Sequence, residues 1–147
     1  IKKTTLSAGE TEKVGSELAK AILSDVSIPK FIALYGDLGV GKTAFVRGFV
    51  REIAPTASVK SPTFTLVNEY RSDRINVFHF DMYRIEDDDS LYSIGFYDYL
   101  DKGICITEWT ENIEFALPDN YLKVIIEKNN PNIPESRSIT VEYIKGS

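Results

Sequence analysis

The octapeptide GDLGVGKT, residues 36–43, restricts this chain more than any other stretch. Gly36, Gly41, Lys42 and Thr43 fit G-x-x-x-x-G-K-[ST], a spacing that curls backbone N–H groups around phosphate oxygens. Glycine permits the close approach and the φ values that such a curl needs. A helix beginning here aims its unpaired amides and positive dipole end at the anion. Lys42 reaches toward β- and γ-phosphates. The Thr43 hydroxyl suits Mg²⁺, a hard ion that keeps water and phosphate oxygens in the rest of its shell. The loop demands a strand before it and a helix after it, and both are present. KFIALYG, following Pro29, reads as a buried strand. Phe45, Val46, Phe49, Val50 and Ile53 describe an amphipathic helix that ends before Pro55.

The remaining segments fit the same frame. Ser7 and Glu10 form a capping box, and Val14, Leu18, Ala21 and Ile22 repeat at helical spacing, which predicts a helix over 8–24. SPTFTLVNEY and INVFHFDMYRI, joined by the polar RSDR, predict an antiparallel hairpin. EDDDSLYSIGFYDYL predicts one or two short helices opened by acids. GICITEW predicts a buried strand, and DNYLKVIIEK and SRSITVEYI predict two late strands around the loop NNPNIPES. The expected fold is α/β: a P-loop NTPase-like central mixed sheet with flanking helices and an antiparallel hairpin, in one domain over 1–147.

A phosphate loop needs an acidic partner for the metal and for the attacking water. Glu108 follows ICIT and Asp81 follows NVFHF, both at strand ends. The residues alone leave open which acid holds metal and which orients water. An extended 75–83 places Ile75, Val77, His79, Asp81 and Tyr83 on one face, with Phe78 and Phe80 on the other, toward the core. His79 is therefore aligned with Asp81. Trp109, next to Glu108, reads as a packing residue or as an aromatic lid.

Composition bears on partners and compartment. The net charge of −5 means that the surface as a whole does not invite nucleic acid or anionic lipid. No apolar run approaches ~18 residues, so no membrane span is expected. The opening IKKTTLSAGE lacks the apolar stretch of a signal peptide. The single cysteine, Cys105, cannot form an internal disulfide, which makes the cytoplasm the expected compartment. A GTPase is disfavoured because N-K-x-D and a D-x-x-G segment after the loop are both missing. A small-molecule kinase usually carries an arginine-rich lid, whereas Arg47, Arg51, Arg71, Arg74 and Arg84 are scattered.

GDLGVGKTAFVRG, SPTFTLVNEY, FHFDMYR and ITEW occur in the order and spacing of the TsaE (YjeE) family, and the chain resembles that family from about Ser7 to Glu127. The resemblance implies a P-loop ATPase of tRNA threonylcarbamoyladenosine biosynthesis. It implies ATP and Mg²⁺ as cofactors and weak hydrolysis in isolation. It also implies action with TsaB and TsaD, which modify tRNA adenosine 37, so that tRNA is engaged indirectly. By that resemblance Gly36, Asp37, Leu38, Gly39, Val40, Gly41, Lys42, Thr43 and Ala44 match the nucleotide loop, and Thr11 matches a threonine near the nucleotide. Thr43 and Glu108 match metal ligands, and Asp81 matches an acid needed for hydrolysis. Thr63 falls in a switch-like segment, and Trp109 lies beside the site. Ala44 replaces the family's usual second threonine, removing one hydroxyl worth on the order of 1 kcal/mol. Val40 replaces a frequent alanine, and its side chain is expected to point outward. Two alternatives stand beside this function: a nucleotide-gated binding module without essential turnover, and a small-molecule kinase.

Overall fold

The computed structural model describes residues 1–37, 40–62 and 65–146. Within them the strands are β1 (Lys2–Thr5), β2 (Phe31–Tyr35), β3 (Val67–Tyr70), β4 (Asn76–Asp81), β5 (Gly103–Glu108), β6 (Tyr121–Lys128) and β7 (Arg137–Ile144). The helices are α1 (Ala8–Ser24), α2 (Lys42–Ile53), α3 (Asp88–Ser93) and α4 (Phe96–Tyr99), and a 3₁₀ segment covers Thr110–Ala116. One mixed sheet runs β1-β7-β6-β2-β5-β4-β3. The inner strands β4, β5, β2 and β6 are mutually parallel, and both edges are antiparallel. The chain leaves β2 for β4 and β5 on one side and returns to β6 on the other. The carboxyl end of β2 is therefore a topological switch point, where α/β sheets place ligands.

Alternation along the inner strands gives the sheet two buried faces. Ile32, Leu34, Val77, Ile104 and Ile106 face α1 and α2, while Phe31, Ala33, Phe78, Phe80 and Cys105 face α3, α4 and the 3₁₀ segment. Phe78 and Phe80 thus lie in a core as expected, but Val77 and His79 on the opposite face are equally buried. Tyr83 departs from the expected shared face, because β4 stops at Asp81 and Tyr83 is 59% exposed.

Two other expectations need correction, and one strand lies outside those expected. Helix α1 has its expected bounds, and Ser7 caps it by accepting from the Glu10 N–H at 3.2 Å. Yet its fully buried stripe is Thr11, Gly15, Ala19 and Ile22, while Val14, Leu18 and Ala21 are only partly covered. Small residues win the centre because α1 and α2 touch backbone to backbone: a Cβ on Gly15 would meet the Phe45 carbonyl, and one on Gly48 would overlap the Glu12 carbonyl. Strand β3 is four residues long instead of filling SPTFTLVNEY. Leu66 adopts φ 68°, its N–H bonds Pro62 O at 2.8 Å, and this turn ends the ladder. Finally, KKTT carries no strand pattern of its own, yet forms edge strand β1 by pairing with β7.

Candidate functional site

Helix α2 starts at Lys42, and Gly41 is its N-cap at φ 97°, a left-handed conformation that favours glycine. Lys42 is only 8% exposed. Its Nζ donates to Gly36 O at 2.9 Å and stands 3.9 Å from Glu108 Oε1 and 5.7 Å from the Trp109 ring centre. Glu108 ends β5, and Asp81 is its register partner at the end of β4. Because both strands alternate in the same phase, His79, Asp81, Ile106 and Glu108 share the face covered by α2. The fold thus brings Lys42, His79, Asp81, Glu108 and Trp109 together.

The two acids differ in environment. Asp81 is 6% exposed, and its Oδ1 accepts the Tyr83 N–H at 3.0 Å, closing a turn just past the strand. Glu108 Oε2 lies 2.5 Å from His79 Nε2. Burial pushes the Glu108 carboxyl up, but the hydrogen bond to His79, the His79 charge and the Lys42 ammonium outweigh it, and the net shift is downward. Glu108 is therefore held as a carboxylate. His79 has no exposed surface, and its Nδ1 has no hydrogen-bond partner among the described residues. One ring nitrogen thus serves Glu108 while the other is orphaned. That buried orphan costs stability and is retained beside the site.

Trp109 follows Glu108 at φ 56°, a strained value for an aromatic residue. Its ring packs on Tyr83 at 4.8 Å between centres. Two residues that the sequence reading passed over hold this turn. Thr110 Oγ1 donates to Leu34 O at 2.9 Å, and Asn112 Nδ2 donates to Met82 O at 3.0 Å and Tyr83 O at 3.2 Å. These bonds tie the turn after β5 to β2 and to the segment after β4. Neither residue had a local signal, since each acts through distant carbonyls.

The other expected site residues are placed as follows. Thr43 is part-buried in the first turn of α2, and Ala44 is buried behind it. Gly36 and Asp37 lead out of β2. Val40 is 3% exposed and packs in the core under α2, so it points inward; beside it, a Cβ on Gly36 would lie 2.9 Å from Val40 Cγ2. Thr11 is 1% exposed, and its Oγ1 bonds Thr5 Oγ1 at 2.8 Å. Leu38, Gly39 and Thr63 lie outside the described residues. Beside the loop a cleft of about 410 Å³ is lined by Gly36, Asp37, Val40, Ile126 and Lys128 among others. A larger hollow of about 530 Å³ opens between Glu69, Asn76 and Tyr99, remote from the phosphate loop.

Known proteins match this chain in sequence and in fold. The family model described as "Threonylcarbamoyl adenosine biosynthesis protein TsaE" matches residues 5–139. The tRNA threonylcarbamoyladenosine biosynthesis protein TsaE of Haemophilus influenzae is 38% identical over 118 residues, covering 78% of this chain and 74% of that protein. Its counterpart in Bacillus subtilis is 39% identical over 98 residues, covering 66% of this chain and 61% of that protein. The crystal structure of YdiB from Bacillus subtilis superposes with a TM-score of 0.75 at 28% identity, covering 99% of this chain and 86% of that one. The sheet built around a phosphate loop and the matching family model lead to one assignment: this chain belongs to the TsaE family.

Proposed function

We propose that this protein binds and hydrolyses ATP with Mg²⁺ and serves tRNA threonylcarbamoyladenosine biosynthesis together with TsaB and TsaD. The observation that carries the reading is the convergence of Lys42 and two strand-end acids, buried Asp81 and part-buried Glu108, on one side of α2. A lysine ammonium at a helix N-terminus suits a polyphosphate. The cleft toward β6 supplies room for the rest of a nucleotide.

The donor set fits magnesium. Glu108 is kept ionised although largely buried, its Oε1 stands at ion-pair rather than hydrogen-bond distance from Lys42, and Thr43 offers a hydroxyl in the first turn of α2. One carboxylate and one hydroxyl leave the remaining positions to phosphate oxygen and water, as Mg²⁺ prefers. Thr43 and Glu108 would hold the ion, which when bound neutralises charge on the phosphates. His79 fixes the Glu108 carboxylate, Asp81 is the acid free to orient water, and Lys42 exchanges Gly36 O for phosphate. Thr11 borders the nucleotide in this reading, and Trp109 covers the Lys42 side. TsaB and TsaD supply what hydrolysis alone lacks, tRNA is reached through them, and the cytoplasm is the compartment.

The test is reconstitution of tRNA modification with purified TsaB and TsaD, comparing wild type with Asp81→Asn and Glu108→Gln. Slow release of free phosphate alone, and single but not repeated rounds of modification with the variants, are expected. Repeated rounds with a variant that binds but does not hydrolyse ATP would establish a nucleotide-gated module instead. Phosphate appearing on a small acceptor would establish a kinase.

A further inference from the structure

Arg137 opens β7, on the far side of the sheet from the two acids. Its main chain is pinned twice, by pairing with Thr5 of β1 and with Lys128 of β6. The side chain crosses to the phosphate loop, where Nε donates to Val40 O at 2.6 Å. Its Nη1 donates to Pro134 O at 2.7 Å and Ser136 O at 2.8 Å, fixing the guanidinium plane from the other end. A Cβ added to Gly41 would first meet Arg137 Nε, at 3.6 Å, so the guanidinium flanks the Val40–Gly41 peptide.

That peptide occupies the critical place in the loop. In a trans peptide the C=O and the next N–H point in opposite directions. Holding Val40 O toward β7 turns the Gly41 N–H away from β7. Gly41, at a left-handed φ, would otherwise have more freedom to rotate this plane than any other residue type. The bond is charge-assisted, and its donor is rigid and always protonated, so the constraint persists without ligand.

We infer that Arg137 is a positioning residue for phosphate binding, a clamp from the carboxyl-terminal hairpin that presets the Gly41 amide. This rests on the nucleotide reading above. Arg137 acts on the phosphate cradle and makes no selection of the base, so its loss weakens any ligand that presents a polyphosphate.

The experiment measures ADP and inorganic pyrophosphate affinity by calorimetry for wild type, Arg137→Gln, Arg137→Lys and Asn129→Ala. Asn129 holds the same hairpin through Ser136, with Nδ2 to Oγ at 3.2 Å and N–H to O at 3.2 Å, and makes no hydrogen bond to the loop among the described residues. Arg137→Gln is expected to weaken both ligands by a similar factor, about tenfold, the loss of one charge-assisted bond. Arg137→Lys, retaining charge without the fork, recovers part of this. Asn129→Ala lowers the unfolding midpoint and leaves both affinities within about twofold. Three results overturn the inference: unchanged affinity in Arg137→Gln, a loss confined to ADP, or an equal loss in Asn129→Ala. Failure of wild type to bind either ligand would instead refute the nucleotide reading itself.

Discussion

Replacing His79 by leucine tests the coupling on which the ionised state of Glu108 depends. The substitution removes the donor at Glu108 Oε2 and leaves Lys42, at 3.9 Å, as the nearby counter-charge. A hydrogen bond to a charged group is worth about 1.5–3 kcal/mol. Removing the orphaned Nδ1 returns about 1 kcal/mol, since an unpaired buried polar atom disappears with it. A net loss of about 0.5–2 kcal/mol at pH 7 follows, or roughly 1–8 °C in Tm for a chain of this size. The pH dependence fixes the cause. In wild type the Glu108 carboxyl lies below its ordinary 4.5, so its contribution is present above that value and fades as pH falls through the folded one. In the variant, burial dominates and raises the carboxyl, so a penalty exists at neutral pH and vanishes once the group is protonated. The wild-type advantage should therefore be largest at pH 7 and shrink toward pH 4. Adding Glu108→Gln to His79→Leu removes the stranded charge and should restore stability, giving a coupling of about 1 kcal/mol or more. Urea titrations in magnesium-free buffer at both pH values provide the measurement. An equal loss at pH 7 and pH 4, or additive effects in the double variant, would refute the reasoning.

Two further outcomes are expected. Lys42→Ala should weaken ATP binding by about 10–100-fold, because a charge and its hydrogen bonds to phosphate are lost; unchanged calorimetric affinity would contradict this. Gly48→Ala should destabilise by about 1–2 kcal/mol, since overlap with the Glu12 carbonyl exceeds the helix-propensity gain of about 1 kcal/mol, whereas Gly9→Ala, with only Ser7 Oγ 3.8 Å away, should be neutral or stabilising. Denaturant midpoints of the two variants decide the matter.

Features written in consecutive residues were legible from sequence. Ser7 marked the start of α1, the glycine spacing marked the loop, and the ends of NVFHF and ICIT placed both acids. What could not be read depended on partners far along the chain. KKTT becomes a strand only because β7 offers an edge. Val40 turns inward because α2 packs over it, a matter of tertiary placement. The inner stripe of α1 could not be chosen without knowing that Gly48 brings a second backbone into contact. Arg137 sits 97 residues from the carbonyl it holds, and nothing in ESRSIT announces that reach.

The glycine seam between α1 and α2 also has a mechanical meaning. Most neighbouring helices are cushioned by side chains that can change rotamer and absorb a small shift. Here main chain meets main chain at Gly15 and Gly48, with Glu12 bracing Arg47 at 3.9 Å and Arg51 at 3.6 Å beside it. With that slack gone, no side chain at the seam is there to absorb a change in the spacing of the two helices, which the dense packing resists.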